Sequence, residues 1–573
     1  MDRRPRKPPR VAIIGGGIAG LGMALLLARR GHRVIVHERD HRPPVDGPDA
    51  AFARWDRPGV PQYRHSHILL ARLTMLMREH LPEVLSLLRL AGAIEVPLTM
   101  AAPPELDLGP RQKGDGELVL LAYRRAALEW ALLTAARREP LIEVREGVHV
   151  SGLLGTRQGT GRRPRVRGLR WRSIPPPLPN DASSEEIHWQ SRAATRPSGP
   201  ERRTLAHIVI DASGRRALGA EWLAQVGGQT PVSESVPTGI FYFTRFYRLL
   251  GPPPRGFSTG LVGGDMGWIK LATFPGDNGT FSITAGSAIE DEPLKSLAEP
   301  AVFEAMLAAF PSIAAWRARG VSEPLDGDAT PVLVMGGLSN VLHNFKHGRP
   351  EGFFALGDAL CHSNPMYGRG VTSALLSAVL LDDALVAAAG DDQAAGRLYA
   401  RAAAREIVPF WEAAARADGF GRAARQRSVA AEDGTDPGIL SWLTAPLAET
   451  RNALGWLAGA FFEKGLAPAM RADATVYRTV MRVMNMLDNP QASFVSPEIL
   501  LRILPHLAES LLTGRRRTVF AGPTRAEGLA IVERHKGRGS ARPPAPGPRS
   551  NRAPALPEAA PRAEAQVRPL RLA

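Results

Sequence analysis

Val11-Ala-Ile-Ile-Gly15-Gly-Gly17-Ile-Ala-Gly20-Leu-Gly-Met-Ala-Leu-Leu-Leu-Ala28 decides the fold of this chain. A short apolar run leads into Gly15, Gly17 and Gly20, and a small-residue and leucine run follows. That order reads as buried strand, tight turn and helix. Gly15 permits the sharp turn. Gly17, without a Cβ, lets a pyrophosphate approach the N–H groups at the helix N-terminus, where the dipole favours negative charge. Gly20 lets the helix lie close on the strand. The unit closes with Gly31 ending the helix, a second strand at Arg33–His37, and Glu38 at its end. A carboxylate there can accept both ribose hydroxyls of an adenosine. A signal peptide or membrane anchor would also begin with a basic segment and an uncharged run. The glycine spacing, the second strand and the absence of a small-x-small site before Arg29-Arg30 favour nucleotide binding instead.

The chain has 573 residues, 44% hydrophobic and 22% charged, which suits two or three units in one globular body. Its single cysteine, Cys361, excludes a disulfide framework and a cysteine-rich metal site, and a reducing cytoplasm is the expected home. The formal charge of +16 is unevenly placed. Residues 1–10, 156–203 and 513–573 contribute +4, +7 and +9, so the remaining body is slightly acidic. Basicity confined to tails and an insertion describes solvated segments, and no specific nucleic-acid function is expected.

After Glu38, the stretch Arg64-His65-Ser-His67 precedes an amphipathic helix. It reads as a polar loop closing over the cofactor rather than a metal site, since no third ligand stands at useful spacing. Residues 93–111 read as an edge strand and loop. A strand at Leu118–Ala122 leads to a helix opening Tyr123-Arg124-Arg125-Ala-Ala-Leu128-Glu129, and 141–154 alternates as one strand. Two strand-like pieces, Val166–Arg172 and Ile187–Gln190, sit in a Pro-, Ser- and Arg-rich insertion read as a hairpin with a mobile excursion. Strands and turn glycines dominate from about 231 to 287, indicating an antiparallel sheet. Ile240, Phe241, Phe243, Leu261, Trp268 and Ile269 then suggest an apolar substrate surface. A strand at Phe353–Leu356 meets Gly357-Asp358-Ala-Leu-Cys-His-Ser-Asn-Pro365-Met-Tyr-Gly368-Arg-Gly370 and a helix to about 389. Residues 405–512 read as helical, and the Pro- and Arg-rich end as unstructured.

Three motifs in this order resemble the FAD-dependent monooxygenases of the para-hydroxybenzoate hydroxylase type, within them the bacterial oxidoreductase and epoxidase subgroup. They are Gly15-x-Gly17-x-x-Gly20 with Glu38-Arg39, the helix Arg125-Ala-Ala-Leu128-Glu129, and Gly357-Asp358 followed by Pro365 and Gly368-x-Gly370. The resemblance covers about residues 10–390. It implies an α/β fold: a Rossmann-like FAD-binding domain interleaved with an antiparallel substrate domain, plus a C-terminal helical region. The expected division is a basic tail 1–10; an FAD-binding domain of 11–92, 112–225 and 330–400 with the mobile insertion 156–203; a substrate domain of 93–111 and 226–329; helices over 401–520; and a disordered tail 521–573.

The implied cofactor-binding set is Gly15, Gly17, Gly20, Glu38, Arg39, Arg125, Val150, Asp358, Pro365, Gly368 and Gly370, with Asp358 accepting a ribitol hydroxyl and Pro365 against the ring. The implied activity is hydroxylation or epoxidation of a hydrophobic small molecule through a flavin C4a-(hydro)peroxide, with molecular oxygen as cosubstrate. Such oxygen transfer needs little acid–base help, so no catalytic residue is assigned; His67, Tyr123 and His362 are candidates. Asp211-Ala-Ser-Gly214 departs from the family's Asp-Gly pair, which leaves the electron source open between NADPH and a partner flavin reductase. The Trp-x-Trp-x-Ile-Pro stretch of tryptophan halogenases is missing. No integral membrane segment is expected. Two other readings stay open: a reductase of the geranylgeranyl-reductase type without oxygen insertion, and a non-catalytic, membrane-associated protein with a nucleotide-binding fold.

Overall fold

The computed structural model describes residues 10–103, 105–156, 164–176, 197–254, 262–345, 349–432, 461–513 and 520–537. Its centre is a five-stranded parallel sheet. In space the strands run Phe353–Ala355, Ile208–Asp211, Arg10–Ile14, Arg33–His37, Ile142–Arg145. The order reverses between Arg10–Ile14 and Ile208–Asp211, and the crevice beyond the C-terminal ends of those two strands is where such sheets bind ligands. Val11, Ala12 and Ile13 are fully buried. A parallel sheet is covered on both faces, so its strands read as continuous apolar runs rather than alternating ones.

The helices Ile18–Arg29 and Gly370–Ala387 lie side by side on this sheet. Gly22 makes the approach possible, because a Cβ there would stand 2.9 Å from Leu375 Cδ1. By length and composition Gly370–Ala387 could cross a membrane, yet 61% of it is buried inside the protein.

A second, antiparallel sheet runs Gly263–Asp265, Ile269–Pro275, Thr280–Ala288, Ile240–Leu249, Ser322–Asp328, with Leu333–Met335 also pairing Ile240–Leu249. The two faces of Ile240–Leu249 have different partners. Phe243 and Tyr247, with Ile269, Phe281 and Ile283 from neighbouring strands, bury against the helices Pro300–Ala308 and Pro311–Arg317. Tyr242, Thr244 and Phe246 point the other way, toward the cofactor unit. Thr244 meets His65, Phe246 meets Phe52 with ring centroids 4.9 Å apart, and Tyr242 donates to Asn364. Arg124 ties the two units together: Asp277, fully buried, accepts from its backbone N–H at 2.7 Å and its Nη2 at 2.6 Å.

Several sequence expectations need correction. The run 141–154 is two strands in different sheets, Ile142–Arg145 and Val148–Thr156, broken at Gly147, whose φ is +64°. Part of the supposed mobile insertion is a three-stranded antiparallel sheet, Val148–Thr156, Arg165–Ser173 and Ser198–Leu205, with register shifts in both pairings. The piece Ile187–Gln190 lies outside the described residues, as do residues 1–9 and the tail beyond 537.

Segment 93–111 does not join the large sheet. Ile94–Pro97 pairs with Val119–Ala122, and Tyr477 and Arg478 of the helix Ala474–Met484 bond Leu98 O and Asp115. Nor is the chain unstructured from 521. Thr524 and Glu527 form a capping box for a helix Arg525–His535, and Phe520 and Val532 are buried on the helical side of the large sheet.

Candidate functional site

The first glycine turn sits at the end of the central strand. Gly15 has φ +98°, and a Cβ there would lie 2.3 Å from Ala212 O; on Gly20 it would lie 1.9 Å from Gly15 O. Both positions therefore require glycine for the fold itself. Gly17 differs: a Cβ would meet nothing within 4 Å. It is the N-cap of Ile18–Arg29, with no side-chain cap and no acidic residue in the first turn. The helix thus presents uncapped N–H groups and its positive dipole end to open space, as a pyrophosphate site needs.

The third motif faces the same space. Gly357, at φ +56°, follows strand Phe353–Ala355, and a Cβ on it would stand 3.0 Å from Ala19 Cβ in the first turn of the opening helix. Two glycine-bearing turns about 340 residues apart in sequence thus meet at one crevice. The helix Gly370–Ala387 is likewise uncapped and lacks an acid in its first turn, with Gly370 exposed and open around its Cα. Gly368, at φ +65°, is pressed against Ile68, whose Cγ2 a Cβ would meet at 2.1 Å. Pro365 is half-buried in the turn before it. Two uncapped helix ends with open glycines supply donors, and a strand-end carboxylate an acceptor, in a set that fits a flavin dinucleotide.

The carboxylates are placed less simply than their positions in the sequence imply. Asp358 is partly exposed and pairs with Arg215 Nε at 3.5 Å. Glu38 is buried and turned inward. Its Oε2 accepts Gly16 N–H at 2.7 Å and its Oε1 accepts Asp40 N–H at 2.9 Å, with Arg57 at 3.5 Å and Arg42 at 4.0 Å. Burial alone would raise its pKa; the two guanidiniums and the two N–H groups hold it below the usual carboxylate value. Each oxygen keeps a further lone pair for a ribose hydroxyl. Arg57 organises this corner from full burial, reaching Asp40 at 3.0 Å and Glu129 at 2.8 Å.

Arg125 bonds Glu129 one turn along its helix at 2.8 Å and holds Nη1 3.5 Å from His67 Nε2. Arg39 is half-buried beside His149, whose pKa is lowered by burial and then by Arg39, Arg216 and Arg172. Val150 has its side chain in the core with Ala12 and Ile14, so only its backbone can face a nucleotide.

The three candidates for chemistry occupy different settings. His67 Nδ1 donates to His65 O at 2.9 Å, since a carbonyl can only accept, and this leaves Nε2 as an acceptor toward Arg125. Burial, then Arg125, push its pKa down to about 3, so it is neutral at physiological pH. Tyr123 is 1% exposed, its hydroxyl has no partner among the described residues, and burial raises its pKa. His362 is buried with Nδ1 3.0 Å from Asp358 O; burial lowers its pKa while the Asp358 charge opposes the shift.

Most of the apolar substrate surface expected from sequence is not on the cofactor side. Phe243 and Ile269 are core against the helices, Phe241 and Trp268 pack on that same core, and Leu261 lies outside the described residues. Ile240 is buried, with Cδ1 packed toward Gly286. Facing the cofactor unit are Thr244, Ser282 and Thr284, and His65 and Ser66 cover them through hydrogen bonds of 2.7–3.2 Å. Sequence reasoning also missed Asp418, whose buried carboxylate joins the third motif to the C-terminal helices.

Residues 10–165 match the family model described as FAD dependent oxidoreductase. The chain is 27% identical over 414 residues to Protein Rv3254 of Mycobacterium tuberculosis, covering 70% of this chain and 78% of that protein. The myxobacterial chondrochloren halogenase CndH, a variant of FAD-dependent halogenases, is similar in structure with a TM-score of 0.50 at 18% identity, over 71% of this chain and 81% of that one. PqsL of Pseudomonas aeruginosa, a probable FAD-dependent monooxygenase, gives 0.46 and 18% over 72% and 95%. The fold is that of a Rossmann-like FAD-binding domain with β-sheets and a helical C-terminal region, and the family match over residues 10–165 supports an enzyme, an FAD-dependent oxidoreductase.

Proposed function

We propose that the protein is an FAD-dependent monooxygenase of the para-hydroxybenzoate hydroxylase type acting on a small organic molecule. One observation carries the reading: Gly357, just past the strand Phe353–Ala355, packs against both Ala19 and Ala374, which brings the opening turns of two uncapped helices, Ile18–Arg29 and Gly370–Ala387, together beside the place where the parallel strand order reverses. The N–H groups above Gly17 would hold the pyrophosphate, Glu38 the ribose and Asp358 a ribitol hydroxyl. The end of Gly370–Ala387 would place its positive dipole toward the ring system, favouring a reduced, anionic form. Bound and reduced, FAD supplies oxygen activation and transfer of one oxygen atom to the substrate as hydroxyl or epoxide.

The chain's own part is to orient and to exclude water. The loop His65–His67 is fastened to the antiparallel sheet where the two units meet, and neutral His67 turns its Nε2 acceptor to Arg125 without adding charge. Reducing equivalents would come from NADPH or a partner flavin reductase. The experiment is the visible spectrum of the purified protein, followed by oxygen uptake with NADPH, with and without an added flavin reductase, and the product mass. A yellow protein whose product gains one oxygen atom supports the proposal. Oxygen-independent reduction of substrate would favour the reductase reading, and a protein that takes up no FAD would end both.

A further inference from the structure

The turn Asn364-Pro365-Met366-Tyr367-Gly368 leads into Gly370–Ala387, and apart from Gly368 against Ile68 little apolar burial holds it. Met366 is 37% exposed and Pro365 is half-buried. Its anchorage is polar and comes from Asp418, in the helix Val408–Glu432, about 50 residues downstream. Asp418 is 7% exposed. Its Oδ1 accepts Asn364 Nδ2 at 2.9 Å and the Tyr367 hydroxyl at 3.0 Å, and its Oδ2 accepts Asn340 Nδ2 at 2.8 Å.

Asn364 bonds through its backbone N–H and through both ends of its side-chain amide. Its backbone N–H donates to Asn340 Oδ1 at 2.7 Å, and its own Oδ1 accepts Met366 N–H at 3.0 Å and the Tyr242 hydroxyl from the large sheet. A second tie runs beside the first: Arg369, packed between the Tyr367 and Phe410 rings, donates from Nη1 to Phe410 O at 2.9 Å. Bonds to a charged acceptor are roughly twice as strong as neutral ones, so one carboxylate collecting three neutral donors from two elements is the keystone of the group.

We propose that Asp418 is a positioning residue for the flavin: through Asn364 and Tyr367 it fixes the turn that faces the ring system, and the Val408–Glu432 helix is thereby part of the cofactor site. The proposal rests on the FAD reading above. Asp418→Asn keeps the shape, but its amide can satisfy the donors on one side only. Expected for Asp418→Asn are an FAD Kd raised about tenfold or more and a shifted visible spectrum and reduction potential. Hydrogen exchange should be faster over residues 364–370 of the FAD-free protein. Tyr367→Phe, which removes one donor and keeps the ring, should show the same changes about threefold weaker.

A purely structural role would lower thermal stability while leaving the spectrum and potential of bound flavin as in the wild type. An FAD Kd within twofold of wild type, with unchanged exchange over 364–370, overturns the proposal. Should Asp418→Asn fail to fold, Tyr367→Phe alone decides by the same readings. Wild-type protein that takes up no FAD would sink the functional reading instead, and the exchange measurement would still decide whether Asp418 holds the turn.

Discussion

Gly17 and Gly20 stand three residues apart in one fingerprint, and the structure gives them opposite duties. Gly20→Ala puts a Cβ 1.9 Å from Gly15 O, a backbone atom that can move only if the turn moves. Overpacking of this kind costs roughly 1–3 kcal/mol and should destabilise the protein with or without cofactor. Gly17→Ala meets no atom within 4 Å, and the backbone there, at φ −82°, is open to any residue. Alanine is a poorer N-cap than glycine, so the apoprotein should lose no more than about 1 kcal/mol.

The added methyl group, however, occupies the path by which a pyrophosphate reaches the helix N–H groups. Losing one or two charge-assisted hydrogen bonds, at about 1.5–3 kcal/mol each, amounts to about 3 kcal/mol, or a roughly hundredfold weaker Kd. At an FAD concentration 100 times the wild-type Kd, ligand binding stabilises the wild type by about 2.7 kcal/mol but such a variant by only about 0.4 kcal/mol. The assay is unfolding of each protein with and without FAD, read as the difference between the two conditions, since a chain of several units need not unfold in one step. The reasoning is refuted if Gly17→Ala keeps the full FAD-dependent gain, or if it harms the apoprotein more than Gly20→Ala does.

Asp358→Ala should raise the FAD Kd about tenfold, the worth of one lost acceptor, and unchanged flavin content after purification would show that Asp358 does not touch the cofactor. Buried His65, bonded to Thr244, has its pKa lowered by burial to about 4 from the ordinary 6.5. Above pH 6.5 it is neutral folded or unfolded. As pH falls from 6.5 to about 4 the unfolded chain takes a proton that the folded one refuses, and stability drops by up to about 3 kcal/mol. His65→Gln should therefore lose less stability than the wild type between pH 7 and 4.5, and an equal loss would remove His65 from the explanation. Ending the chain after Val519 should destabilise the large sheet by stripping Phe520 and Val532 from its core, whereas ending it after Gly537 should not. Equal thermal unfolding of the two truncated proteins would contradict the packing of helix Arg525–His535.

The glycine fingerprint was readable because its constraints are local: each glycine answers to atoms a few residues away or to the strand alongside. The Gly357–Gly370 motif was readable for the same reason, as a strand, turn and helix in sequence. Which face of Ile240–Leu249 meets the cofactor unit was not readable, since both faces are covered and both carry aromatic residues, leaving no polar-to-apolar alternation to tell them apart. Asp418 reads in sequence as one more acid on an Ala- and Arg-rich helix; its partners lie 51 to 78 residues away and are invisible to any local pattern. Helix Arg525–His535 did leave a signal, the capping box Thr524-x-x-Glu527, which the surrounding Pro-rich composition outweighed. Gly147, against the ring of His41, could have marked the break between Ile142–Arg145 and Val148–Thr156.

The bond from Tyr367 to Asp418 bears on the life of the nascent chain. The helix that carries Asp418 must leave the ribosome before that carboxylate can reach the turn, and the edge strand Phe353–Ala355 pairs with Ile208–Asp211 only after more than 140 further residues are made. Contacts so distant along the chain close slowly. On the proposal made above for Asp418, a product that ends before this residue would hold the turn, and with it FAD, less firmly than a chain that includes it.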